Sequence, residues 1–168
     1  MTATIEKNSI DEKLKAHFGE NIISSEMLYD MQCVTVKQDT IHQVVKFLYD
    51  DEGLQFQFLT TLCGMHFPGA ELKFGLVIQL HSLIHNYRLR LKAFTSHEPP
   101  TFPTFTDIFS GANWMERETY DFFGFKFTGH PNLKRILNVD DMEGFPLRKE
   151  FPLEDQARFD KDDKMFGR

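Results

Sequence analysis

Apolar residues recur at helical spacing in two early segments of the chain. In "SIDEKLKAHFG", Ile10, Leu14 and Phe18 share one face, Ser9 and Glu12 form a capping-box pair, and Gly19 supplies a stop. In "DTIHQVVKFLYDDEG", the stripe is Ile41, Val44, Val45 and Leu48, with Asp39 or Thr40 as cap and Gly53 as terminator. Between these two predicted helices, "CVTVK" (Cys33–Lys37) reads as a strand. The middle of the chain changes period. "QFQFLTTLCGMHF", "LKFGLVIQLHSLIHN" and "YRLRLKAFT" are rich in aromatic, β-branched and aliphatic residues. The last alternates cleanly, with Tyr87, Leu89, Leu91 and Ala93 on one face and Arg88, Arg90 and Lys92 on the other. His85-Asn86 suits the turn between the second and third of these strands. The pattern predicts an α+β fold: an antiparallel sheet packed against helices on one face, with its other face partly polar.

Pro99, Pro100 and Pro103 interrupt regular structure. "GANWMERETYDFFG" then reads as a third helix, with Asn113 as N-cap, Glu116 at the third helical position, Gly124 as the C′ glycine, and Arg117 and Asp121 as a surface i,i+4 pair. Beyond residue 137 the periodicity fades and charge density rises. The predicted organisation is therefore a compact domain over 1–137 and an extended, charged C-terminal arm over 138–168. "FPL" occurs twice in the arm, at Phe145–Leu147 and Phe151–Leu153. In a strand or a polyproline II helix the two rings would share a face and could anchor the arm in a partner's groove. The alternative is an arm that folds back on its own domain. The acidic end, "DKDDKMFGR", is expected to be mobile without a partner.

Composition narrows the function classes. The 168 residues, 41% hydrophobic, suffice for one domain with a core. A net charge of -6 argues against a general nucleic-acid binder. The N-terminal stretch has no secretory h-region, and no apolar run approaches the roughly 20 residues of a membrane helix. A soluble, cytosolic chain is expected, able to sit on a membrane-bound partner. Cys33 and Cys63 read as two reduced core thiols, too few and too scattered to ligate an iron–sulfur cluster.

The enzyme motifs with clear mechanics are missing: no G-x-G-x-x-G, P-loop, H-E-x-x-H or G-x-S-x-G. Cys63 and His66 give only two metal ligands, and a strand would separate His81 from His85, so no metal site is expected. Glu116, Glu118 and Asp121 could serve as an acid/base set, but their spacing better fits a capped helix with surface ion pairs. His130, between Gly129 and Pro131, has no nucleophile partner and reads as a turn or interface residue. No catalytic, cofactor-binding or metal-binding residue is assigned.

Two blocks carry a resemblance. The first is "ERETYDFFGFKFTGHPNLKRIL", holding Glu116, Arg117, Glu118, Tyr120, Asp121, Phe123, Gly124, Gly129, His130, Pro131, Leu133, Lys134, Arg135, Ile136 and Leu137. The second is "EGFPLRKEFPL", holding Glu143, Gly144, Pro146, Leu147, Arg148, Lys149, Phe151 and Pro152. Together they closely resemble the C-terminal signature of the C-type (30-kDa-type) subunit of the bacterial proton-pumping NADH:quinone oxidoreductase, respiratory complex I. The chain departs from that pattern at Phe145, where the family often has His, and at Glu150, where it often has Asp.

The resemblance implies a non-catalytic α+β subunit of the peripheral arm, lying on the cytoplasmic side of the inner membrane. FMN and iron–sulfur clusters would belong to partner subunits, and electrons would pass through those partners to quinone. The expected neighbours are the D-type subunit and the one that carries the last cluster, with the signature residues as a docking surface. Related scaffolds serve membrane-bound hydrogenases and quinone reductases with other donors. A stand-alone metal-dependent hydrolase using His66, His81 or His130 with Glu116 or Glu118 is the contrasting reading.

Overall fold

The computed structural model describes residues 7–152. The chain runs through helix α1 (Lys7–Phe18), the hairpin β1 (Ile22–Leu28) and β2 (Met31–Val36), helix α2 (Ile41–Asp50), and the meander β3 (Phe58–His66), β4 (Phe74–Ser82) and β5 (Tyr87–Thr95). Short strand β6 (Thr101–Pro103), helix α3 (Ala112–Phe123) and short strand β7 (Lys126–Thr128) follow. The five long strands form one sheet in the order β1-β2-β5-β4-β3, and β6 pairs with β7 in a small parallel ribbon.

The α+β prediction holds, with one refinement. Neighbouring strands are antiparallel except β2 and β5, which run parallel in the register Val34↔Leu91. A parallel pair needs a long crossover, and α2, β3 and β4 supply it. The two-residue turn joining β1 to β2 places Tyr29 and Asp30 at φ 50° and 63°, the left-handed values a tight hairpin of this twist requires. Asn86, at φ 49°, makes the corresponding turn before β5, as expected.

All three helices lie on one face of the sheet. Val34, Val36, Leu76, Ile78, Leu80, Leu89, Leu91 and Ala93 point inward and meet Ile10 and Leu14 of α1 and the predicted stripe of α2, all without solvent exposure. Each of the Val, Leu and Ile side chains contributes on the order of 2 kcal/mol by leaving water. Beneath β3 and β4 the core is aromatic: Phe74, Phe102, Phe105 and Phe125 are buried, with Phe125 edge-on to Phe74 and stacked on Phe102. Lys13 of α1 bridges to Asp51 just past α2 at 2.6 Å. No helix among the described residues is long and apolar enough to cross a membrane.

Several helix ends differ from expectation. α1 begins at Lys7, so Ser9 lies inside it. Thr40 occupies the N-cap of α2 but its side chain makes no capping bond, and the helix ends at Asp50, with Asp51 rather than Gly53 at the C-cap. α3 begins at Ala112 behind Gly111, which leaves Asn113 inside the helix. Gly124 closes α3 at φ 78°, as predicted. Cys33 is buried, but Cys63 points outward and is exposed, because it alternates with the inward Leu62 and Gly64.

Residues 138–152 contain no helix or strand and lie against their own domain. Leu147 N donates to Phe122 O at 3.1 Å and Lys149 N to His66 Nδ1 at 3.1 Å. Local bonds from Arg148 N to Phe145 O and from Phe151 N to Arg148 O curl the segment into turns, so the two "FPL" copies are not joined by extended backbone. The acidic end of the arm lies outside the described residues.

Candidate interaction site around helix α3

Helix α3 packs along β3, where Gly64 admits Thr119, Phe123 and Phe125. Glu116 and Asp121, on different sides of the helix, are both without solvent exposure. The expected surface positions of these two carboxylates are corrected: the loop after β6 covers Glu116 and the segment 135–138 covers Asp121. Glu116 does not reach back to cap its own helix. Its Oε1 accepts from Phe105 N at 2.6 Å and its Oε2 from Thr104 Oγ1 at 2.7 Å, tying the loop after β6 to α3. Burial raises its pKa to about 7; the two hydrogen bonds oppose the rise, and nearby Asp107 adds to it.

Asp121 is surrounded by donors. Oδ2 accepts from the backbone N–H groups of Ile136 (3.0 Å), Leu137 (2.8 Å) and Asn138 (3.0 Å). Oδ1 accepts from Asn138 Nδ2 and Arg135 Nη1, both at 3.0 Å. Burial pushes this carboxyl upward, but the bonds from Leu137, Asn138 and Ile136 outweigh it and hold the pKa well below the usual carboxylate range. Asp121 pairs with Arg135 across the loop, not with Arg117 along the helix. Arg117 instead donates to Lys134 O and Arg135 O, both at 3.1 Å, with its guanidinium over Trp114.

Arg135 links the two signature blocks. Its Nη2 donates to Met142 O at 2.9 Å and Gly144 O at 3.1 Å. Beyond these bonds Phe145 lies between two guanidinium groups, 5.4 Å from Arg135 and 4.8 Å from Arg148, and edge-on to Tyr120. Such cation–ring contacts each contribute on the order of 1 kcal/mol. The Phe145 ring also covers Gly124: a Cβ there would sit 2.5 Å from it, so the glycine is required both for its left-handed backbone and for the ring above it. Arg148 completes the junction. Its Nε donates to Phe123 O at 2.7 Å, it pairs with Glu98, and it lies over Phe74. Phe151 packs on Gly144 in turn.

The remaining predicted site residues divide by exposure. Glu118, Gly129, Pro131, Lys149 and Pro152 are exposed; Tyr120 and Pro146 are half-buried. His130 sits in the turn after β7, where Nδ1 accepts from Asn132 N and Nε2 faces Asn113 O at 3.2 Å. The ring therefore carries its proton on Nε2 and bridges the turn to α3. Cys63 and His66 point to opposite faces of β3, and among the described residues no group of three or more His, Cys, Asp or Glu could hold a metal. Glu116, Glu118 and Asp121 do not converge on a cleft, since two are sealed and one is outward. What the geometry can do is mechanical: it fixes the loops after β6 and β7 and the start of the arm to one helix. Around that junction Trp114, Leu137, Val139 and Leu147 remain 63%, 66%, 67% and 51% exposed. Sequence reasoning missed the roles of Thr104, Phe145 and Glu98, whose partners are remote in the chain.

Comparisons with known proteins agree with this arrangement. The chain is 37% identical over 157 residues to the C-type subunit of the NADH-quinone oxidoreductase of Methylobacterium sp. (strain 4-46), covering 92% of this chain and 73% of that one. It is 40% identical over 149 residues to the corresponding NADH-quinone oxidoreductase subunit of Roseiflexus sp. (strain RS-1), covering 89% and 86%. Among solved structures, the trypsin-resistant fragment (1-134) of Nqo5 superposes with a TM-score of 0.63 at 25% identity, covering 74% of this chain and 98% of that one. A chain of the membrane-bound sulfane sulfur reductase, an archaeal respiratory membrane complex, shares the fold with a TM-score of 0.73 at 22% identity, covering 94% and 97%. The sequence pattern of the respiratory-chain NADH dehydrogenase 30 Kd subunit matches residues 34–157, and the chain belongs to that family.

Proposed function

We propose that the chain is a non-catalytic structural subunit of the peripheral arm of a proton-translocating NADH:quinone oxidoreductase, held at the cytoplasmic face of a bacterial inner membrane. Electrons pass from NADH through FMN and iron–sulfur clusters on other subunits to quinone. The docking neighbours are the D-type subunit and the one that carries the last cluster. The observation that carries this reading is the family signature itself. Its two blocks close on each other through Asp121, Arg135, Phe145 and Arg148, and two of the three carboxylates that could form an acid/base set, Glu116 and Asp121, are hydrogen-bonded within the chain. The signature thus builds a rigid platform, and the exposed Trp114, Leu137 and Leu147 around it are the docking anchors. Truncating a central anchor of this kind typically costs about 2 kcal/mol of binding.

The test is purification of the tagged chain from its native membranes, with assay of NADH:quinone activity. Co-purification of the activity, and its loss with Trp114→Ala combined with Leu137→Ala, is the expected result. A chain that purifies with a hydrogenase, with an assembly that takes electrons from another donor, or alone would overturn it.

A further inference from the structure

The sheet face opposite the helices carries no covering element among the described residues. Its centre is β5, whose outward side chains are Arg88, Arg90 and Lys92. Alternate residues of a strand lie about 7 Å apart, so these cations form a single row. Their cross-strand neighbours on β4 are His81, Gln79 and Val77, and on β2 Cys33 faces Arg90 and Thr35 faces Lys92. None of these positions holds a carboxylate; the nearest acids of this face are at its edges, Glu26 opposite Cys33 on β1 and Glu118 of α3 near the Cys63 thiol. Among the described residues no carboxylate lies within ion-pair distance of Arg88, Arg90 or Lys92. Gln79 Oε1, oriented toward Arg90, accepts from its Nη2 at 3.0 Å and its Nε at 3.3 Å, which holds that guanidinium in place. Apolar rings close the row at both ends: Phe58, opposite His81 and 49% exposed, and Phe67 against Phe94, with ring centroids 6.4 Å apart.

Three cations without an ion-pair partner among the described residues, in a chain of net charge -6, are a local reversal of sign. Like charges in a row repel, and an oppositely charged surface relieves that repulsion. Arg is favoured where a carboxylate is to be gripped by both oxygens. We infer that this open face is a second docking surface, and that its occupant is an acidic segment of another protein subunit of the same assembly, with carboxylates over Arg88, Arg90 and Lys92 and apolar residues on Phe58 and Phe94. This rests on the proposed role as a subunit. It concerns the side of the molecule opposite α3, so two partners could be held at once.

The test places a photoreactive benzoylphenylalanine at position 92 of the tagged full chain, in cells making the whole assembly, and identifies the cross-linked peptide by mass spectrometry. An acidic peptide from another subunit is expected. In the same cells, Arg88→Glu, Arg90→Glu and Lys92→Glu together should lower co-purification of that subunit about tenfold or more, and reversing its carboxylates to Lys should restore it. A melting temperature equal to wild type shows that the variant is folded. Should it not fold, the Arg88→Gln, Arg90→Gln, Lys92→Gln set takes its place, with a smaller loss expected. A cross-link within the same chain, to a second copy, to lipid or to a peptide without acids overturns the inference, as does undiminished co-purification. If the captured assembly lacks NADH oxidation, the proposed function fails while the cross-link still reads the face.

Discussion

Glu116 and Asp121 sit on the same helix, little more than a turn apart, and both are sealed from solvent. Their protons nevertheless behave oppositely. Near the start of α3 the loop after β6 offers Glu116 one backbone N–H and one hydroxyl, and no cation. Near its end the segment 135–138 offers Asp121 three backbone N–H groups, an amide and a guanidinium. Burial penalises both charges equally in kind; the donors decide which charge survives. One end of the helix is therefore held by an ion and the other by a carboxyl near its titration point.

The contrast breaks most visibly at Asp121. Asp121→Ala should cost about 4 kcal/mol in urea unfolding, because it removes the acceptor of three backbone N–H groups and of Asn138 Nδ2 and leaves Arg135, still bonded to backbone carbonyls, without its counter-charge. The pH profile sharpens the difference. Glu116 has a folded pKa of about 7 against an ordinary 4.5, so its neutral form favours the fold. Its contribution is complete below pH 4.5 and is lost as pH rises through 7. Glu116→Gln keeps the acceptor for Phe105 N and cannot ionise. It should flatten that slope and exceed wild-type stability at pH 8 by up to about 3 kcal/mol. Asp121 has the reverse sign: its contribution is present above the ordinary 3.8 and is lost as pH falls toward its lowered value. Denaturation midpoints taken from pH 3 to pH 8 check both. Gly124→Ala tests whether the ion-held end also needs Phe145 above it. About 2 kcal/mol should be lost, with faster proteolysis in 138–152, since the ring must lift from the helix. Glu118→Gln on the outer side of the same helix should change stability by less than about 0.5 kcal/mol.

Much of this was legible before the structure. The inward residues of β5 and the stripe of α2 follow from periodicity alone, and so does the polar outer sheet face. The parallel pairing of β2 with β5 did not, because strand order depends on contacts between segments far apart in the chain. Hairpin β1–β2 was missed for a related reason: β1 is an edge strand with only partly buried or exposed residues, so it lacks the clean alternation that marks a strand with one buried face. The family signature was fully legible as a pattern, but its physics was not. Acidic side chains in a helix flanked by basic ones read as surface ion pairs when only local spacing is considered. Asp121 and Glu116 are buried because loops remote in the chain cover them, 135–138 over Asp121 and the segment after β6 over Glu116, and these loops also supply their donors. Phe145 likewise reads as an arm anchor until Gly124 and the two arginines are seen around it.

The closure of the two signature blocks also bears on where the chain can be cut. Asp121 draws its backbone donors from Ile136, Leu137 and Asn138. The boundary at which composition changes is thus not a seam. A shortened version ending at residue 134 would strip Asp121 of Arg135 and of every donor from 136 to 138, and one ending at 138 would uncover Phe74 and Gly124. Only an end point beyond Phe151 retains all the contacts described here, so a nested series of C-terminal deletions should show its step in melting temperature between residues 134 and 151, well inside what looks like a tail.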